Sequence, residues 1–272
     1  MRCSTAAVAA LPASFHPSKA AISTGLRSVG SAMISITPRA YLGARGYRVI
    51  RLSAMKIPRP AAILFDMDGL LVDTEPVWWL SESAVAHDLG FEWTREDQHI
   101  CVGGPLTRVG DHIVERSFAA TGERHDRDRL IETITLDVAA RISEYEIDLM
   151  FGGRELLALL VAQGIPHALV SASPRHTVDA VVRSTGVTSF TTTIAGTDLP
   201  RTKPHPDPYL EAASRLGVDI KKTIILEDSP NGVIGALASG AIVYAVPHLV
   251  PVAPLTGLNF ARSLLEIRNA LK

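Results

Sequence analysis

Beyond residue 60 the chain alternates short, largely apolar runs with stretches whose apolar positions recur every three to four residues. Short apolar runs suit strands buried on both faces of a parallel sheet, and the helical spacing supplies the crossovers between them. Four runs read as buried strands, Ala61 to Phe65, Ile165 to Val170, Thr223 to Leu226 and Ala241 to Val246, with a weaker fifth at Thr192 to Ala195. This order predicts an α/β fold, a Rossmann-like doubly wound parallel sheet covered by helices. From Glu75 to Met150, Ile113, Phe118, Leu130, Ile134 and the run Leu136 to Ile142 keep helical spacing, which predicts an inserted α-helical cap. Gly103, Gly104 and Pro105 break the helices there and form a loop able to move. Gly152 and Gly153 mark the return to the sheet and open a helix at Glu155 to Ala162 that stops before Gly164. The expected division is a core over 60–74 and 151–248, a cap over 75–150, and a C-terminal extension with a helix over 249–272.

Composition changes this picture mainly at the N-terminus. Residues 1–65 hold nine of the 27 Lys and Arg and no acid, leaving 18 basic residues against 28 acids, a net charge of −10, from Asp66 onward. An acidic body is a poor nucleic-acid binder. The basic opening, rich in Ala, Ser and Arg, has the composition of an organelle transit peptide. Met55 stands just before the first strand, and Arg outnumbers Lys throughout the chain, so residues 1–54 read better as a disordered or dispensable tail. No run reaches the roughly 18 consecutive apolar residues of a membrane span. Two cysteines, Cys3 and Cys101, make neither a disulfide framework nor a zinc site. The expectation is a cytoplasmic monomer without nucleic-acid or membrane partners.

The chemistry concentrates at the carboxyl ends of the predicted strands, where open α/β sheets form their crevices. After the first strand come Asp66 and Asp68, two acids one residue apart. The first, as a carboxylate, can attack phosphorus without a base to activate it, and the second can carry the leaving-group proton. Ser171 and Ala172 follow the second strand, where a hydroxyl and free N–H groups can hold phosphate oxygens. Lys203 follows the weaker strand in a proline-stiffened segment, and Glu227 and Asp228 follow the strand ending at Leu226. Adjacent acids facing Asp66 make a hard-oxygen site suited to Mg²⁺. Each signal alone has a plain structural reading: turn formation at Asp68-Gly69, helix capping at Ser171 and Asp228, solvated charge at Lys203.

Together, in this order, they resemble the haloacid dehalogenase superfamily of aspartyl phosphotransferases, in the subgroup whose helical cap follows the first strand. The resemblance covers Ala61 to Val246. It rests on DMDGLLVDTEP at Asp66 to Pro76, SASP at Ser171 to Pro174, KPHP at Lys203 to Pro206, and LEDS with NG at Leu226 to Gly232. These strings are most similar to sugar-phosphate phosphatases of the 2-deoxyglucose-6-phosphate and hexitol-phosphate type and to β-phosphoglucomutase-like proteins. The resemblance implies Asp66 as nucleophile, Asp68 as general acid/base, Ser171, Ala172 and Lys203 as phosphate ligands, and Mg²⁺ on Asp66, Asp228 and the Asp68 carbonyl. Glu227 supports or joins the metal site by the same resemblance.

The function it implies is an Mg²⁺-dependent phosphatase acting on small phosphate esters through an aspartyl-phosphate. A phosphosugar mutase is the alternative within enzymes, and a silent sugar-phosphate-binding protein the alternative outside them. A mutase of this group resembles a chain with a His where Trp78 stands and two basic residues in the cap loop, which Val102 to Leu106 lacks. The cap offers Trp78 and Arg108, and the core Arg175, as substrate contacts. Trp78 and Trp79 lie on different helix faces, so one of them packs, and His205 between two prolines reads as structural.

Overall fold

The computed structural model describes residues 56–144 and 147–271; the expected tail, 1–54, and Cys3 lie outside them. Its strands are β1 (Ala62–Phe65), β2 (His167–Val170), β3 (Thr192–Ile194), β4 (Thr223–Glu227), β5 (Ile242–Ala245) and β6 (Leu258–Phe260). They form one sheet in the order β3-β2-β1-β4-β5-β6, with every neighbouring pair parallel. Side chains of alternate strand residues point to opposite faces, so a strand covered on both sides must be apolar throughout. Ile63, Phe65, Leu169, Ile224 and Leu226 join one apolar cluster. It is closed by α5 (Gly153–Gln163), α6 (Arg175–Thr185) and α9 (Leu264–Ala270). Leu64, Ala168, Val170, Ile225 and Val243 face the other side, against α7 (Asp207–Leu216) and α8 (Pro230–Ala238).

Residues 75–144 form α1 (Glu75–Asp88), α2 (Arg95–Cys101), α3 (Leu106–Thr121) and α4 (Arg127–Glu144). Val85, Ile113, Leu130, Ile134 and Val138 are buried among these helices, and α4 also packs on α6, so the apolar interior runs from cap to sheet without a break. Phe118 and Leu136, counted among the helical apolar positions, are exposed. The Arg124 guanidinium lies 4.3 Å from the centre of the Phe118 ring, covering it as a cation on an aromatic face.

The C-terminal residues hold more than the expected helix. Leu258, Asn259 and Phe260 pair in register with Val243, Tyr244 and Ala245 and complete the sheet as its sixth strand. Three residues with a polar centre carry no periodic signal, and only the waiting edge of β5 makes them a strand. Among the described residues no helix is long and apolar enough to cross a membrane.

Candidate active site

In this strand order the chain's two directions of winding part between β1 and β4, and a crevice opens at their carboxyl ends. Asp66 leaves β1 there, while Glu227 ends β4 and Asp228 follows it. Each of the three acids offers a carboxylate oxygen within 4.8 Å of the others. Lys203, itself buried, reaches the same point. Its ammonium donates to Asp66 Oδ1 at 2.5 Å, Glu227 Oε1 at 2.6 Å and the Val170 carbonyl at 2.8 Å. The Tyr209 hydroxyl of α7 donates to Glu227 Oε1 as well.

Three buried carboxyls around one ammonium leave an excess of negative charge. Burial first, and the charge of Glu227 second, push the Asp66 carboxyl up to about 8 against the pull of Lys203. Burial and then Asp66 hold Asp228 well above the ordinary carboxylate range. The nucleophile expected to be ionised on its own thus depends on a positive charge beside it. Asp228 Oδ1 is buried without a hydrogen-bond partner. A buried oxygen of that kind is costly unless a cation meets it, and a set of carboxylates at this spacing suits Mg²⁺. Close packing keeps the acids in place. Gly69 has φ of +82°, and a Cβ there would lie 2.3 Å from Asp228 Oδ2, so glycine is needed on both counts.

Asp68 is positioned separately. Its Oδ1 accepts from Thr74 Oγ1 at 2.5 Å, and its Oδ2 from Ser173 Oγ at 2.8 Å and Ser171 Oγ at 3.2 Å. Thr74 occupies the N-cap position of α1, yet its side chain makes no cap and serves Asp68 instead. The Ser173 N–H donates to Ser171 Oγ at 2.9 Å, which ties the β2 turn to the same network.

Of the residues singled out from sequence, Asp66, Asp68, Ala172, Lys203, Asp228 and Trp78 line one cavity between core and cap. Ser171 and Glu227, fully buried, stand behind its wall and hold the groups that line it. Arg108 and Arg175 do not reach it. The Arg108 guanidinium lies against Gly104 and donates to the Ile100 carbonyl at 3.4 Å, outside the cavity. Arg175 is tied to Asp198, to Asp179 at 3.2 Å and to Thr193 Oγ1 at 2.7 Å, fastening α6 to the β3 side of the sheet. Arg108 thus meets a carbonyl on the cap and Arg175 carboxylates on the β3 side of the sheet. His205 pairs with Asp207 at 2.9 Å.

Sequence reasoning assigned no role of their own to Thr74, Ser173 and Gly232, although each lies within a quoted string. It passed over Tyr209 and Glu82 because they occupy ordinary helical positions with no local signal. Gly232 matters sterically: a Cβ there would fall 2.0 Å from Glu227 Oε2. Gly232→Ala is expected to displace Glu227 and with it Lys203. The expected cost is about 1–3 kcal/mol of stability, as in other overpacked sites, together with most of the activity. Urea unfolding beside a phosphate-release assay checks both.

Comparison with known proteins places this geometry. A family model described as haloacid dehalogenase-like hydrolase matches residues 63–246. Hexitol phosphatase B of Escherichia coli K12 is 34% identical over 196 residues, 71% of this chain and 86% of that protein. A phosphorylated carbohydrates phosphatase of Thermotoga maritima is 28% identical over 207 residues, 75% of this chain and 90% of that one. The crystal structure of CbbY from Rhodobacter sphaeroides in complex with phosphate superposes with a TM-score of 0.65 at 26% identity, covering 76% of this chain and 96% of that chain.

Proposed function

The chain belongs to the haloacid dehalogenase-like hydrolases and is a phosphoric monoester hydrolase, and from that premise we propose that it is an Mg²⁺-dependent phosphatase of small sugar or polyol phosphates working through an aspartyl-phosphate on Asp66. The observation that carries this reading is the meeting of Asp66, Asp228 and Lys203 at one rim of the sheet, with Asp68 aimed into the same cavity.

In the proposed reaction an Asp66 carboxylate oxygen attacks the phosphorus in line. The ester P–O bond breaks, and the departing alkoxide takes the proton held by Asp68. A water then attacks the aspartyl-phosphate and gives its proton to Asp68, while the bond from phosphorus to Asp66 breaks and inorganic phosphate leaves. Thr74, Ser171 and Ser173 hold Asp68 where it serves both halves of the reaction. Lys203 exchanges one of its present contacts for a phosphoryl oxygen, and Ala172 contributes its N–H. Asp66, Asp228 and the Asp68 carbonyl would hold Mg²⁺, with Glu227 behind them, and the ion supplies positive charge to the phosphoryl oxygens and to Asp66.

Hydrolysis is favoured over a mutase because the cap loop from Val102 to Leu106 has no basic residue and Arg108, the residue that could have supplied a second phosphate clamp, donates to the Ile100 carbonyl. A small-molecule ester fits a pocket lined by both cap and core residues.

Phosphate release from an aryl phosphate is expected to disappear with a chelator and return with Mg²⁺; activity indifferent to chelation would refute the metal. In the metal-free protein Asp66 and Asp228 have raised folded-state pKa values. Their contribution to stability is therefore present below the unfolded value and lost as pH rises toward about 8. Thermal unfolding is expected to show Mg²⁺ stabilising the protein more at pH 8 than at pH 5, the opposite order arguing against these acids as its ligands.

A further inference from the structure

The wall of the cavity contributed by the cap contains carboxyl groups and no cation. Glu75 and Glu82 stand seven residues apart on α1, which puts them on one face two turns apart, and both line the cavity. Gln98 of α2 joins them: its Nε2 donates to Glu75 Oε2 at 3.1 Å, and its Oε1 accepts from Trp93 Nε1 at 2.9 Å. Glu82 is 2% exposed and its carboxyl interacts with the Trp93 and Gln98 side chains, which leaves its Oε2 buried with no hydrogen-bond partner. Among the described cavity-lining residues, Lys203 and His248 are the basic ones. Lys203 is engaged by the catalytic acids, and His248 lies 3.7 Å from Asp73 on the core side.

Nothing in the phosphoryl-transfer scheme uses Glu82, yet leaving a buried carboxyl oxygen without a partner costs free energy unless a ligand completes it. We infer that Glu82, with Glu75 and Gln98, is the specificity site of the cap, where it binds hydroxyl groups of a neutral polyol leaving group and rejects leaving groups that carry a second anion. The inference rests on the phosphatase reading and deepens it. A carboxyl that keeps its proton donates one hydrogen bond and accepts another, the pattern a hydroxyl presents in return. Burial, then the charge of Glu75, pushes the Glu82 carboxyl up to about 8, in line with that form. Burial, then Asp68, raises Glu75 to about 7. A carboxylate or second phosphate on the leaving group would meet acids and find no cation to neutralise it.

The test compares sorbitol phosphate, phosphoglycolate, phosphoethanolamine and para-nitrophenyl phosphate with the wild type, Glu82→Leu and Glu82→Gln. Replacing by Leu a buried carboxyl that has one oxygen unmet removes a desolvation penalty, so the metal-free Leu variant is expected to unfold no earlier than the wild type. The wild type is expected to prefer sorbitol phosphate to phosphoglycolate by about 100-fold or more in kcat/KM, the scale of a buried, uncompensated charge. In Glu82→Leu the ratio of kcat/KM for sorbitol phosphate to that for the aryl phosphate is expected to fall about tenfold, mainly through KM, and in Glu82→Gln to recover to within about threefold. An unchanged ratio in the Leu variant, equal use of phosphoglycolate, or a preference for phosphoethanolamine, which would pair with an ionised Glu82, overturns the inference. Failure of the wild type to hydrolyse the aryl phosphate with Mg²⁺ would instead overturn the phosphatase reading beneath it.

Discussion

Asp66→Asn is expected to abolish turnover, with a loss on the order of 10³-fold or more, while the protein stays folded. An amide cannot form the acyl-phosphate bond, so the two-step path closes instead of slowing. The fold should tolerate the change for an electrostatic reason. Asp66 is one of three neighbouring buried carboxyls, two of which meet the Lys203 ammonium, and the neutral amide removes part of their mutual repulsion. Lys203 keeps Glu227 at 2.6 Å and the Val170 carbonyl at 2.8 Å, so it is not stranded. The metal-free variant is expected to melt at or slightly above the wild-type temperature and to gain less from added Mg²⁺. Calorimetry with and without the ion, alongside aryl phosphate turnover, measures all three. A variant keeping a tenth of wild-type turnover would refute Asp66 as the nucleophile.

Lys203→Met should do the opposite, damaging stability and activity together. Methionine fills a similar volume but leaves Asp66, Glu227 and Asp228 without their internal cation. Removing one partner of a buried ionic cluster typically costs about 3–5 kcal/mol. Proton uptake by the remaining acids offsets part of this at low pH, so the deficit relative to wild type is expected to grow as pH rises from 5 to 8. Chemical unfolding at the two pH values in the presence of chelator reads the deficit. Turnover is expected to fall by about 100-fold or more even with saturating Mg²⁺, because the phosphoryl oxygens lose an ammonium that the ion does not replace. A stability loss independent of pH would point to packing alone.

The elements most legible in the sequence were those whose environment is uniform along their length. Buried on both faces, β1, β2 and β4 are largely apolar runs, with His167 and Thr223 the polar residues before their ends, and the carboxyl ends of such strands are where an open α/β sheet places its chemistry. Asp66, Asp68, Lys203, Glu227 and Asp228 could therefore be singled out and ordered around a crevice before any distance was known. The short strand β6 could not, because Leu258 to Phe260 become a strand only by pairing with β5. Arg108 and Arg175 are not among the residues that line the cavity, for a related reason. A charged side chain several carbons long goes to the nearest partner in three dimensions, and for Arg175 that partner is Asp198, 23 positions further along the chain.

By itself, then, the amino-acid sequence determined the fold class, the order of the strands' chemical ends and the set of acids and the lysine gathered there, since each follows from local periodicity and from residue type next to a strand. Tertiary structure alone decided which groups share a charge environment: that Lys203 is buried between two carboxyls, that Thr74 and Ser173 hold Asp68, and that Glu82 lies buried in the cap wall with one oxygen unmet. Electrostatic interactions depend on distance and on exclusion of water, and residues such as Asp66 and Lys203, 137 positions apart, acquire both only when the sheet closes and the cap packs over it.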